Sequence, residues 1–333
     1  MANPLSVTRE YNRIFSIVRD QVEPLLFDNV TTRTSTLFRM KEMGAIQTVG
    51  GRPHMRFNIV KELPTTAAYT DLDTISPVRA DPVTSAIFEW KQLQCPVQVS
   101  GLDMIKTGDG AEIDLLEMFI QAAELSLRDA LGGSSIGIFS DGNETDLDKV
   151  SGLQTFFTSS TTTGLVGALN RATTTVWQHQ TQNVSSDFSS NGLTAFRSLY
   201  RTCSRFDEVP DSIALNGATL DNFERDLTST FQVNLPIMDV GPGDQRMIDA
   251  GFGNIRYKGA VVYNDDGVPA NAGYFLNLAK HIRLIIREGR NAEIGDFVKS
   301  GERDDLVSFI LWAGNLVTTN LARGGLLQNG DTY

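Results

Sequence analysis

Residues 111–133 carry the strongest structural signal in the chain and read AEIDLLEMFIQAAELSLRDALGG. Apolar side chains recur there every three or four residues, as on one side of an α-helix; they are Ile113, Leu116, Ile120, Leu127 and Leu131. The opposite side, which we expect to face solvent, holds Glu117, Gln121, Glu124 and Arg128. Asp109 can cap this helix and Gly132-Gly133 should end it. The pattern predicts a helix over 111–131, about 30 Å long.

The chain before this helix is predicted to be mostly extended. An apolar stripe over 7–25 indicates one helix. In 28–51 apolar residues do not recur at a helical or strand spacing over any long stretch, and we interpret this segment as an arm lying on something else. Two alternating runs, 55–59 and 86–90, indicate a pair of strands. The stretch between them, 64–85, is rich in proline and threonine and poor in large apolar residues. Because it has no core of its own, we expect it to lie on a neighbour.

The chain after the long helix has a mixed pattern. Short strands are predicted at 136–139, 153–157 and 212–215, and helices at 193–205 and 218–230. Strands broken by turns are predicted over 251–278, with Asp266-Gly267 as the clearest turn. Residues 282–287 alternate as a strand does, and 306–316 has the composition of a buried strand.

The composition is that of a folded, acidic protein. Of the 333 residues, 41% are hydrophobic and 21% are charged, which is typical of globular chains. Forty acidic residues against 29 basic ones give a net charge of −11. A protein whose main task is to grip phosphates is therefore disfavoured. The length allows two domains or one large one.

The cysteines and the N-terminus indicate an intracellular setting. Cys95 and Cys203 are too few for a disulfide framework or a zinc site, and we expect both to be buried thiols. Arg9, Glu10 and Arg13 lie where a signal peptide would need an apolar core. We therefore expect synthesis inside the cell and no membrane association.

One motif suggests a hydrolase. Gly133-Ser134-Ser135-Ile136-Gly137 matches the G-x-S-x-G nucleophile elbow. That elbow must follow a strand and open a helix, but here a long helix comes first. We interpret the match as a helix end and a turn.

A second motif suggests a calcium loop, whose acidic and polar candidates are Asp141, Asn143, Thr145, Asp146 and Asp148. Such loops need glycine at the sixth position and glutamate at the twelfth, which here are Asp146 and Gly152. A solvated acidic turn is the favoured interpretation.

The remaining patterns build no catalytic, cofactor or metal site. His54, His179 and His281 have no metal-binding spacing and no carboxylate nearby in the sequence, and we expect His281 at the surface or rim. A phosphate-binding P-loop is absent from the sequence. Gly251-Phe252-Gly253 fails to complete the dinucleotide fingerprint, since Arg256 holds the last glycine position.

The order of elements resembles the major capsid proteins of tailed bacteriophages, whose architecture is called the Hong Kong 97 fold. Three stretches of sequence carry the resemblance. They are Gly152-Leu153 with Gly164-Leu165 through Asn170-Arg171-Ala172-Thr173 to Trp177; Asp249-Ala250-Gly251-Phe252 with 257–262 and Asp265; and Tyr274-Phe275-Leu276-Asn277 with Ala313-Gly314-Asn315-Leu316-Val317.

This resemblance implies an α+β chain of five parts. They are an N-terminal arm at 1–50, an extended β-hairpin loop at 51–100, a peripheral domain at 101–190 with the spine helix 111–131, an axial domain at 191–279, and return strands of the peripheral domain at 280–333.

The resemblance also implies a structural role rather than an enzyme. Hexamers and pentamers would form an icosahedral virion shell around packaged double-stranded DNA, touched only non-specifically, after synthesis in the host bacterial cytoplasm. The chain begins directly with the arm, so we expect a separate scaffolding protein; a portal and decoration proteins are further implied partners. No cofactor and no membrane are implied. The extended loop supplies the candidate assembly residues, which are Lys61, Tyr69, Asp71, Asp73, Arg79 and Asp81.

Two alternatives stay open at this stage. An encapsulin-like compartment shell would share the fold but would enclose an enzyme. A hydrolase using Ser135 would be a small species with a pocket beside that serine.

Overall fold

A computed structural model describes residues 35–62, 66, 68–71, 82–100, 111–185, 187–230, 255–299 and 304–331. The helices in these ranges are α1 Ser35–Glu42, α2 Ala111–Gly132, α3 Leu153–Phe156, α4 Phe188–Cys203 and α5 Gly217–Thr230. The first strands are β1 Ile46–Val49, β2 Met55–Val60, β3 Val83–Phe88, β4 Lys91–Ser100, β5 Leu165–Val166, β6 Leu169–Asn170, β7 Gln180–Asn183 and β8 Ser212–Leu215. The later strands are β9 Arg256–Tyr257, β10 Ala260–Asn264, β11 Ala272–Leu276, β12 Ile282–Arg287, β13 Glu293–Ile294, β14 Val298–Lys299, β15 Asp305–Thr318 and β16 Gly325–Gln328.

The long strand β15 organises the first sheet. It pairs antiparallel with β4 over ten residues, from Asp305 opposite Ser100 to Gly314 opposite Lys91. It also pairs antiparallel with β12, β13 and β14, and β1 adds to β12 in parallel. Helix α2 packs against β4, whose buried side chains alternate with outward-facing glutamines. The predicted long helix and the predicted buried strand over 306–316 are confirmed.

The second sheet has the strand order β7-β16-β11-β8-β10-β9. One face packs beneath α4 and α5 through buried side chains that include Ile213, Val262 and Phe275. The opposite face, which includes Tyr263 and Tyr274, belongs to the larger core. Alternate residues of a strand point to opposite faces, so β8, β10, β11 and β16 each contribute side chains to two cores. Strands β7 and β16 come from outside 191–279, and the division into domains stays a prediction.

Three parts of the chain differ from the sequence-based expectation. Residues 136–139 were predicted as a strand but form turns, and 153–156 form a short helix instead of a strand. Part of the predicted arm, 35–49, forms α1 and β1, which bury Leu37 and Met40 in the main core. The eight residues of α1 are too few for apolar side chains to show a clear helical period, which explains why this helix was not predicted. The expected helix at 7–25 lies outside the described residues.

The polar side of α2 is only partly exposed, contrary to expectation. Glu117 is half-buried, but Glu124 and Arg128 are both more than nine-tenths buried. Their spacing of four places them one turn apart on the same side. Burial raises the pKa of Glu124 to about 7, and the positive charge of Arg128 only partly offsets this effect. Within the described residues, no helix combines the length and the apolar composition needed to cross a bilayer.

Candidate assembly interface

The hairpin β2–β3 is anchored at one end and exposed at the other. At the root, Met55 lies opposite Phe88, and both side chains are buried in the main core. The ring of Phe57 contacts that of Phe88 edge-on, with 6.2 Å between centroids. At the far end, Val60 lies opposite Val83, and each is 54% exposed. The predicted strand pair is therefore confirmed, and its outer end leaves apolar surface uncovered.

The predicted assembly residues lie at or beyond this outer end. Lys61 follows β2 directly, and its N–H donates to the carbonyl of Pro82 across the hairpin at 2.8 Å. Lys61, Tyr69 and Asp71 are all exposed, and within the described ranges no hydrogen bond or ion pair joins their side chains. Asp73, Arg79 and Asp81 lie outside the described residues. An assembly role for these six residues stays a prediction.

An acidic loop over 141–148 holds the root of the hairpin. The Glu144 carboxylate accepts hydrogen bonds from the N–H groups of Glu89, at 3.4 Å, and Gly167, at 3.3 Å. Burial raises the pKa of Glu144, and these two hydrogen bonds and Lys91 partly counter the effect. The side-chain nitrogen of Lys91 donates to the carbonyls of Asn143, Glu144 and Asp146. The loop expected to be a solvated turn is therefore filled by a buried lysine.

Asn315 joins three parts of the structure, and sequence reasoning did not single out its chemistry. Its side chain is fully buried; the oxygen accepts from the N–H of Ser151 at 2.8 Å, and the nitrogen donates to the carbonyl of Glu89 at 2.8 Å. A buried polar group must be paired, so this residue fixes β15 against the hairpin root. The signal in the sequence was an asparagine inside an otherwise apolar strand.

The G-x-S-x-G match closes the end of α2. The N–H of Ile138 donates to the carbonyl of Leu131 at 2.9 Å, and the N–H of Phe139 donates to the carbonyl of Gly133 at 3.3 Å. A side chain at position 137 would collide with the Leu131 carbonyl oxygen, which explains the second glycine. Ser135 is exposed on this turn and does not follow a strand. The motif therefore forms the turn after α2, as expected, and the residue that follows the motif satisfies the helix-end carbonyl of Leu131.

The three histidines occupy different settings. The Nε2 of His179 lies 2.8 Å from the carbonyl of Thr158 and must donate, so Nδ1 accepts from Arg171 at 3.2 Å. Burial lowers the pKa of His179 to about 4, and the ring is neutral at pH 7.

The other two histidines lie beside carboxylates that are distant in sequence. His54 is 3.5 Å from Glu89, and His281 is 3.4 Å from Glu208. The expectation that His281 lies at the surface or rim was wrong, because it is only 9% exposed. It packs beneath the turn that carries Glu208.

The described residues contain no group of three His, Cys, Asp or Glu side chains placed to hold a metal ion. Cys203 is buried, and burial raises the pKa of its thiol to about 12. Cys95 is only half-buried, contrary to expectation. An open cavity of about 340 Å³ lies against the second sheet, and its lining includes Phe157, Tyr274 and Leu326 but no charged side chain.

Solved structures of phage and GTA capsids share this architecture across most of the chain. The capsid asymmetric unit of cyanophage A-1(L) matches with a TM-score of 0.61 and 13% identity, covering 88% of this chain and 93% of that one. The capsid of an empty GTA particle matches with a TM-score of 0.57 and 14% identity, covering 86% and 88% respectively. The capsid of Myoviridae phage XM1 matches with a TM-score of 0.52 and 9% identity, covering 86% and 90%.

The chain therefore has the Hong Kong 97-type fold of phage capsid proteins, and the predicted fold class is confirmed. No family model matches the sequence, and neither does any curated protein. The TM-scores of 0.52–0.61 show a shared fold, and the sequence identities of 9–14% show nothing beyond it.

Proposed function

We propose that this chain is the major capsid protein of a tailed bacteriophage, assembling as hexamers and pentamers into an icosahedral shell around double-stranded DNA. The observation that carries the proposal is the mutual coverage with the cyanophage A-1(L) capsid, 88% of this chain and 93% of that one. A fold is a weaker guide to function than a site, so the proposal also needs support from the surfaces through which copies would assemble.

The hairpin β2–β3 supports assembly. Its root is fixed in the core through Phe88 and held by Glu144 and Asn315, whereas its outer end exposes Val60 and Val83. An element that is rigid at one end and uncovered at the other can lie over a neighbouring subunit. Contacts through such elements tolerate the small angular difference between rings of five and of six, which rigid flat patches do not.

The proposed setting follows from the role. The chain would be made in the host bacterial cytoplasm and would assemble with a separate scaffolding protein, a portal and decoration proteins. The net charge of −11 suits a wall along which DNA is packed without being gripped. We propose no catalytic step: the work of the protein is self-association.

Sedimentation of the purified protein, with and without a scaffolding protein, tests this function. Rings and closed shells are expected as the protein concentration rises, and shells recovered from infected cells should contain nuclease-resistant DNA. A monomer that persists under every condition would overturn the proposal. Shells that enclose an enzyme instead of DNA would favour the encapsulin-like alternative, and a monomer with esterase activity lost in Ser135→Ala would favour the hydrolase.

A further inference from the structure

A tight turn between α4 and β8 presents an aromatic ring to solvent. The N–H of Arg205 donates to the carbonyl of Glu208 at 2.9 Å, and the N–H of Glu208 donates to the carbonyl of Arg205 at 3.0 Å. Phe206, at the tip of this two-residue hairpin, is 92% exposed and has φ +54°. A bulky side chain rarely adopts this left-handed conformation, because it costs free energy. Within this chain the guanidinium of Arg205 lies 5.8 Å from the centroid of the ring, and it leaves most of the ring open to solvent.

The turn is nevertheless firmly held. Asp207 pairs with Lys280 at 2.6 Å. The Glu208 carboxylate lies 3.1 Å from Nε of Arg323 and 3.4 Å from Nε2 of His281. These partners come from the β11–β12 connection and from the segment before β16, so the tip is tied to two separate parts of the chain. A turn whose backbone is held in one place loses little backbone entropy on binding, which favours a role in recognition.

The open cavity on the second sheet is the candidate receptor for this ring. Its volume of about 340 Å³ is at the small end for binding pockets, and the lining is aromatic, aliphatic and uncharged polar. The turn and the cavity lie toward opposite ends of β11: Leu276 pairs with Ser212, close to the turn, whereas Ala272, which lines the cavity, pairs with Gln328.

We propose that Phe206 of one copy of this chain enters the cavity of a second copy. The partner is a second copy because the same chain carries both an exposed aromatic ring and an uncharged opening of suitable size. A contact between two different patches is heterologous, and it repeats from copy to copy around a ring. The inference rests on the proposed function only in requiring that copies associate.

Three variants test the contact. In Phe206→Gly, glycine adopts the positive φ without strain, so the melting temperature of the unassembled protein should equal or exceed that of wild type. Half-maximal assembly should require at least about tenfold more protein, which corresponds to a loss of about 1.4 kcal/mol. Ser159→Trp fills the cavity from its exposed rim and should weaken assembly similarly. Leu147→Ala removes another exposed apolar side chain, 74% exposed, and should change nothing.

The double variant decides between this contact and a general surface effect. If the ring occupies the cavity, adding Ser159→Trp to Phe206→Gly should cause little further loss of assembly. Fully additive losses, or an equal loss in Leu147→Ala, would overturn the proposal. A lower melting temperature of unassembled Phe206→Gly would also overturn it, since the ring would then be covered within its own chain. Wild-type shells with normal assembly of Phe206→Gly would remove this inference and leave the proposed function standing, whereas a wild-type chain that never associates would remove both.

Discussion

The side-chain nitrogen of Lys91 lies 2.9 Å from the main-chain carbonyl oxygen of Asn143, inside the acidic loop over 141–148. The same ammonium group donates to the carbonyls of Glu144 and Asp146, and Lys91 is only 1% exposed. The burial lowers the pKa of Lys91, while the nearby carboxylates of Glu144 and Asp146 oppose that shift. A lysine on β4 therefore occupies the position that a bound cation would take in a calcium loop.

Replacing Lys91 should destabilise the protein even though methionine matches its length. Lys91→Met leaves buried carbonyls without a donor, which we expect to lower the free energy of unfolding by about 2–4 kcal/mol. Urea denaturation of the unassembled protein measures this loss. Lys149→Met is the matched control: Lys149 pairs with Asp141 at the surface at 2.8 Å, and its loss should cost less than about 1 kcal/mol. Wild-type protein that gains stability from added calcium would contradict this account of the loop.

Helix α2 provides a comparison of two side chains of similar size two residues apart. Ile120 is fully buried, whereas Met118 is 65% exposed. Ile120→Ala should cost about 2–5 kcal/mol through lost burial and the cavity left behind, and Met118→Ala should cost less than about 0.5 kcal/mol. Thermal unfolding of the unassembled variants measures both. Equal effects would mean that the helix is not packed on one side.

The buried carboxyl of Glu124 should make stability depend on pH. Its pKa is raised to about 7 in the folded chain from an ordinary value of 4.5, so the folded state holds a proton that the unfolded state releases. This stabilisation is complete below about pH 4.5 and is lost as the pH rises through about 7. Glu124→Gln, which cannot ionise, should flatten this part of the profile and raise the melting temperature at pH 8 by about 2 °C.

Glu117→Gln is the control for this pH dependence, since Glu117 is a half-buried carboxyl on the same helix. Its pH profile between 4 and 8 should follow that of wild type. A Glu124→Gln variant with the same slope as wild type would show that another group titrates in this window.

The outer end of the hairpin should be dispensable for folding and required for assembly. Replacing residues 61–82 by a short Gly/Ser turn keeps all six cross-strand pairs from Met55–Phe88 to Val60–Val83. We expect the melting temperature of the unassembled protein to change by less than about 2 °C, because the described residues of this stretch, 61–62, 66, 68–71 and 82, include none that is buried. Shells should be absent or fragile in negative-stain images. A variant that fails to fold would place the loop in the core of its own subunit.

The parts of the fold that sequence predicted best have long or strict periods. Helix α2, the hairpin β2–β3 and strand β8 at Ser212–Leu215 agree with expectation because one residue pattern suffices to specify each. Strand β4 was missed as a separate element, although Leu93, Val97 and Val99 alternate with outward-facing polar residues. Its ten-residue pairing with β15 depends on a partner more than 200 residues away, which no local pattern reveals.

The polar interior was harder to predict. Lys91, Glu124 and Asn315 have the residue types of a surface, yet each is buried. A buried charge or amide is tolerated only where donors and acceptors meet it in three dimensions, and those partners come from distant segments. The turn at Phe206 was missed for a similar reason, because its positive φ and its ion pairs are properties of the folded chain.

Cryo-electron microscopy of particles formed by the purified chain would show directly whether the chain builds a capsid shell and where the hairpin lies. We expect closed icosahedral shells in which every subunit has the fold described here, with the β2–β3 hairpin of one subunit lying on another. Reconstructed density should therefore show Val60 and Val83 covered by a neighbouring chain. A chain that stays monomeric at every concentration and with any scaffold, or shells in which the hairpin end remains exposed to solvent, would contradict the account.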